Sequence, residues 1–155
     1  MSPTVAQVLA AKPDAGRTVH TIGRDGTVLD ALRLLADRGI GALVVMADER
    51  IVGIVTERDY ARKVELRGRS AATTLVEEIM TAKVRYVEPT QTAAECMALM
   101  TEHRMRHLPV LDEAGRLTGL VSIGDLLKQQ IADQQFTIDQ LEHYIQGAPS
   151  PAYPS

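Results

Sequence analysis

The feature that most constrains this chain is that it repeats itself. Gly53-Ile54-Val55-Thr56-Glu57-Arg58-Asp59 can be laid over Gly119-Leu120-Val121-Ser122-Ile123-Gly124-Asp125, an offset of 66 (119 − 53). The same offset puts Val44-Val45 on Val110-Leu111, Arg50 on Arg116 and Ala31 on Met97, with no gap needed from Thr21/Val87 to Asp59/Asp125. Further upstream, Val5-x-x-Val8-Leu9 parallels Val76-x-x-Ile79-Met80, with a few extra residues in the first copy. A chain built this way folds as two similar units whose faces can pack on each other.

Periodicity supplies the elements of each copy. Val28, Ala31, Leu32 and Leu35 recur at helical spacing over 27–38, with Thr27 as N-cap and Gly39 as a left-handed stop. The matching helix spans 92–103 under Thr92. Two β-rich runs follow, 42–46 and 50–56, joined by a tight turn at Asp48-Glu49. Their counterparts, HLPVL and RLTGLVS, flank Asp112-Glu113-Ala114-Gly115, and a helix starts after each third strand. Short extended segments, Thr18–Ile22 and Val84–Glu88, precede these frames. Each copy therefore reads β-α-β-β-α. One such unit is too small to bury an adequate core alone, so an α/β (α+β) pair with pseudo-twofold symmetry is expected. The divisions are 1–66 (first repeat with an N-terminal helix), 67–74 (linker), 75–130 (second repeat), 131–147 (amphipathic helix) and 148–155 (flexible tail).

Composition narrows the function classes. Hydrophobic residues make up 45% of the 155, enough for a core, but aromatics only 3%, so aliphatic side chains must build it. A net charge of −3 argues against a dedicated nucleic-acid binder. The single cysteine, Cys96, has no intramolecular partner, and neither a secretory h-region nor an uncharged apolar run of ~18 residues is visible. A cytoplasmic protein free of membrane is expected. His20, His103, His107 and His143 lack metal-ligand spacing, so no metal is expected. Cys96, Met97, Met100 and Met105 read as packing residues.

IGALVVMADERIVGIVTERDY, MRHLPVLDEAGRLTGLVSIGDLL and the VEEIM before the second copy resemble the CBS domain family, named after cystathionine β-synthase. The resemblance covers roughly residues 4–130 and implies a stand-alone tandem pair that senses ligands, often dimerising into a disc. It further implies that each cleft takes Asp and Thr/Ser from one repeat and an adenine-lining wall from the other. The first site is then Thr56, Arg58 and Asp59 with Lys83, Val84, Arg85, Tyr86, Arg106, His107 and Pro109. The second is Ser122, Gly124 and Asp125 with Arg17, Thr18, Val19, His20, Ile40, Gly41 and Ala42. Chemically, a carboxylate at a strand end can accept both ribose hydroxyls, and donors at the following helix start favour a phosphate. The plainer reading is that Asp and Thr/Ser only cap a helix; the duplicated register favours the ligand.

The copies differ where charge matters. At the common offset, Ile40-Gly41 stands where the other copy has Arg106-His107, and Gly124 replaces Arg58. The Asp125 site should hold a less charged ligand, bind more weakly or stay empty, and the Asp59 site ranks first. Arg58, Arg62, Lys63, Arg67 and Arg69 form a basic run that reads first as a solvated helix face, with ligand phosphates or an acidic partner as the alternative. Beyond the second repeat, Leu127, Ile131, Ile138, Leu141 and Ile145 follow steps along one helical face that must be buried, by preference in a homodimer.

The expected function is a non-enzymatic regulatory module binding an adenine nucleotide, AMP first, with ADP, ATP, NAD or S-adenosylmethionine as further ligands and an effector protein as reader. The alternative is a protein-interaction or structural module with vestigial pockets. CBS pairs are inserted in IMP dehydrogenases, but the catalytic barrel alone needs about 250 residues, and no nucleophile-base pair appears here.

Overall fold

In a computed structural model, residues 2–13 and 17–146 are described; the expected flexible tail, 148–155, lies outside them. Among the described residues the order is α1 (Val5–Ala10), β1 (Thr21–Gly23), α2 (Val28–Arg38), β2 (Ala42–Ala47), β3 (Arg50–Thr56), α3 (Glu57–Lys63), a 3₁₀ turn (Glu65–Arg67), α4 (Val76–Ile79), α5 (Ala93–His103), β4 (His107–Leu111), β5 (Leu117–Ser122) and α6 (Ile123–Gln146). β1 runs parallel to β2, which pairs antiparallel with β3. β4 and β5 form the second antiparallel pair, and the counterpart of β1 is reduced to one parallel bridge, Val87 to Val110. The expected pair of β-α-β-β-α units is present. The terminal amphipathic helix is no separate element: it continues the last helix of the second repeat as 24 residues of α6.

Local chemistry explains the boundaries. Thr27 Oγ1 accepts the Asp30 N–H at 3.1 Å and Thr92 Oγ1 that of Glu95 at 3.1 Å, each capping a helix start. Gly39 ends α2 at φ 63°, whereas Arg104 takes the same left-handed position after α5 at φ 53°. The caps are 65 residues apart (92 − 27), not 66. Strand register agrees: His107 faces Ser122 as Ala42 faces Thr56, so β2 maps onto β4 at 65 and β3 onto β5 at 66.

The second hairpin holds the extra residue. Asp48 and Glu49 both have positive φ, making a two-residue turn. The second loop is longer, closed by Asp112 Oδ1 accepting the N–H groups of Ala114 and Arg116 at 2.9 Å, with Gly115 at φ 79°. The ungapped offset is thereby corrected upstream of the hairpin. Cys96 corresponds to Ala31, and both are buried in the helix faces that pack on their sheets.

The two cores do not follow the sequence halves. α1 contributes Val5 and Val8 to the core of the second repeat, beside Cys96, Met100, Leu108 and Val121. α4 contributes Val76 and Ile79 to the first, beside Leu35, Leu43 and Val55. The exchange is symmetric. Val28 N–H bonds Thr74 O at 2.8 Å, and Ala93 N–H bonds Pro3 O at 2.7 Å. Within the 67–74 segment read as linker, Ala71 and Thr74 are thus docked on α2. Glycines make room for the exchanged segments: a Cβ on Gly53 would lie 2.5 Å from Met80 Sδ, and one on Gly119 2.7 Å from Leu9 Cδ1.

Candidate functional site

Two clefts open between the repeats. The first, about 500 Å³, has Thr56, Arg58 and Asp59 on one side and Lys83, Val84 and Arg85 on the other, with Arg106 and His107 at its end. Asp59 sits in the first turn of α3 because it and Thr56 bond reciprocally. Asp59 Oδ2 accepts from Thr56 N at 2.9 Å and Oγ1 at 3.0 Å, and Thr56 Oγ1 accepts from Asp59 N at 3.1 Å. Lys63 Nζ lies 3.1 Å from Oδ1 and also donates to Ile79 O at 2.8 Å. The capping role is therefore present at Asp59 whatever else it does.

The second cleft, about 370 Å³, is lined by Thr18, Val19, His20, Ile40, Gly41, Ala42, Ser122 and Asp125, all read from the sequence. Ser122 N donates to Asp125 Oδ2 at 2.9 Å and Ser122 Oγ accepts from Asp125 N at 3.0 Å, repeating the first site's cap. Lys12 is new. Its Nζ is 3.0 Å from Asp125 Oδ2 and 3.1 Å from Leu120 O, with side chains only 19% and 25% exposed. Burial pushes the Asp125 carboxyl up, but the Ser122 N–H and the Lys12 ammonium outweigh it and hold it below the usual range. Lys12 follows α1 as Lys83 follows α4, so the weaker upstream repeat carried the signal for it.

Some expected residues fall elsewhere. Arg17 is not among the residues lining the cleft: its Nε donates to Lys12 O at 2.8 Å and Nη2 to Ala10 O at 2.7 Å. Gly124 lies in the first turn of α6 and does not line the cavity. Pro109 is buried within β4, its carbonyl accepting from Val87 N at 2.9 Å. Tyr86 lines a separate hollow with Met46, Arg50 and Leu117. Conversely, Arg62 and Lys63 of the supposed solvated run line the first cleft, as do Thr81, Arg104 and Met105.

His107 belongs to both clefts, as does Gly41, where a Cβ would lie 4.0 Å from His107 Nε2. Burial lowers the His107 pKa; Asp125 opposes that, while Lys12 and Arg106 reinforce it. With the corrected register, Gly41-Ala42 are the counterparts of Arg106-His107, and the charge asymmetry between clefts stands. Among the described residues no three His, Cys, Asp or Glu side chains lie close enough to hold a metal ion, and no helix is long and apolar enough to cross a membrane.

The CBS domain model matches residues 14–66 and again 76–131. The chain belongs to the CBS domain family. A solved structure of a protein with CBS domains from Burkholderia ambifaria MC40-6 is 68% identical, covers 87% of this chain and 98% of its own, and superposes with a TM-score of 0.80. The CBS domain-containing protein CBSX3, mitochondrial, of Arabidopsis thaliana is 40% identical over 152 residues, 94% of this chain and 73% of that protein. An inosine-5'-monophosphate dehydrogenase of Korarchaeum cryptofilum is 34% identical over 116 residues, which are only 23% of that enzyme. The shared part is the CBS pair.

Proposed function

We propose that this CBS pair is a non-enzymatic regulatory module that binds an adenosine ligand (AMP, ADP, ATP, NAD or S-adenosylmethionine) in the Asp59 cleft. One observation carries the reading: a fixed carboxylate beside an open cavity of nucleotide size, lined on its far side by residues 83–85 from the other repeat. The carboxylate takes the ribose diol, the facing segment takes the adenine edge, and Arg58, Arg106 and His107 take the anionic end. Asp125, whose cleft has Gly41 and Gly124 where the first has Arg106 and Arg58, is the secondary site. Binding across the repeats changes how they pack, and an effector protein reads that change.

Asp59→Asn tests this, because the amide oxygen still accepts from the Thr56 N–H and preserves the cap. Calorimetric titration with AMP and ATP should show at least about tenfold weaker binding, with the fold intact by circular dichroism. Unchanged affinity would exclude Asp59 as the ribose ligand.

We also propose that the chain is a homodimer through α6. Leu127, Ile131, Gln134, Ile138, Leu141 and Ile145 follow 4-3-4-3-4 steps, which makes them alternate d and a positions of a heptad. Ile131 is 62% and Leu141 58% exposed. Ile at all three a positions with Leu at two of the three d positions, Gln134 filling the third, suits two parallel strands, so a second copy of the same helix is the matching cover.

A further inference from the structure

The geometry points to a polyphosphorylated ligand in the Asp59 cleft: the nucleotide it accepts carries two or three phosphates rather than one. This rests on the adenosine reading above and concerns what the far end of the ligand must be. In a chain of net charge −3, this one cavity gathers Arg58, Arg62, Lys83, Arg85, Arg104 and Arg106. Among the described residues none of these six is ion-paired; the remaining cation, Lys63, already faces Asp59. Asp59 is also the single carboxylate among the described lining residues.

The cations come from three separate elements, α3, the segment after α4, and the residues between α5 and β4, so helix periodicity does not account for their convergence. Like charges collected in one concave site repel and focus potential, and an anion relieves both. One phosphate presents too little charge and too few acceptors for six donors; a di- or triphosphate chain matches them by charge-assisted bonds. The Asp125 cleft makes the contrast, since Lys12 there is neutralised by Asp125 itself.

Arg104 adds an independent sign. It holds the left-handed C-cap conformation, φ 53°, that Gly39 fills in the first repeat. A side chain there is strained relative to glycine, and such positions cluster at ligand clamps. Here the strained residue delivers a guanidinium to the cleft.

The experiment is calorimetric titration of the full chain with adenosine, AMP, ADP, ATP and inorganic tripolyphosphate, in metal-free buffer at two salt concentrations. Affinity should rise about tenfold with each phosphate beyond the first, and the gain should shrink as salt is raised. AMP and ATP binding within about threefold of each other would overturn the inference while leaving the adenosine reading intact. Tripolyphosphate binding as tightly as ATP, with adenosine silent, would support the polyanion site and overturn the adenosine reading. No binding of any of the five at millimolar concentration would overturn both. Arg104→Gly supplies a second arm: it should raise the melting temperature of the free protein by relieving the strain, yet weaken ATP about fivefold or more and AMP far less. Equal ATP affinity in this variant would remove Arg104 from the site.

Discussion

Adding one methyl group to Gly53 tests the helix exchange that holds the two repeats together. The new Cβ would lie 2.5 Å from Met80 Sδ, 2.9 Å from Met80 Cγ and 2.9 Å from Thr81 O. Met80 can swing, but Thr81 O is main chain and is anchored by a two-way bridge, Ile54 N to Thr81 O at 3.0 Å and Thr81 N to Ile54 O at 2.8 Å. Alanine gains about 0.5–1 kcal/mol over glycine from backbone entropy in a strand. Against it stand an overpacking cost of about 1–3 kcal/mol and the weakening of two hydrogen bonds at about 1 kcal/mol each. The net for Gly53→Ala is a loss of about 2–4 kcal/mol, or ~5–15 °C in melting temperature for a chain this long. For Gly119→Ala the three nearest atoms all belong to the branched end of the Leu9 side chain, which can rotate away. Its cost should stay below about 1 kcal/mol once the entropy gain is counted. Paired thermal melts by circular dichroism read the difference. Equal losses at the two glycines, or a neutral Gly53→Ala, would refute the argument that the anchored carbonyl sets the clearance.

Lys12→Met should cost about 1 kcal/mol near pH 7, as expected for a partly buried ion pair. Asp125 has a lowered folded pKa, so its contribution is present above the unfolded value and is lost as pH falls through the folded one. Parent and variant should therefore converge in melts near pH 2–3; a gap that persists there would deny the pairing. Cys96 is buried, and burial pushes its thiol up to about 11. Iodoacetamide at about pH 8 should therefore label it only after denaturation, and rapid labelling of the native protein would contradict its place in the core. Leu141→Asp should convert a dimer to a monomer in sedimentation velocity while leaving the repeats folded; an unchanged sedimentation coefficient would remove α6 from the interface.

Much of this architecture can be read from residue types alone, because the signals are local. Thr27 and Thr92 stand before apolar helical periods, Gly39 ends the first, and Asp48-Glu49 sits between two β-rich runs. What escapes reading is non-local. An extra residue in the second hairpin leaves the hydrophobic type of each strand position nearly unchanged, so only paired register reveals it. Lys12 lies 113 residues from Asp125, and nothing in its neighbourhood tells which cleft it enters. The glycine of each Gly-x-x-Thr/Ser run looks like part of a ligand motif; its close contacts are instead with Met80 and Leu9. The basic residues of α3 could be counted from the sequence, but their convergence with Arg85, Arg104 and Arg106 required the fold.

The crossing of α1 and α4 has a consequence for a cut chain. Cleaving between residues 66 and 70 would part the two sequence repeats, yet each fragment would carry the other's missing wedge. The fragments should stay together after the cut, and neither should hold its shape when purified away from the other.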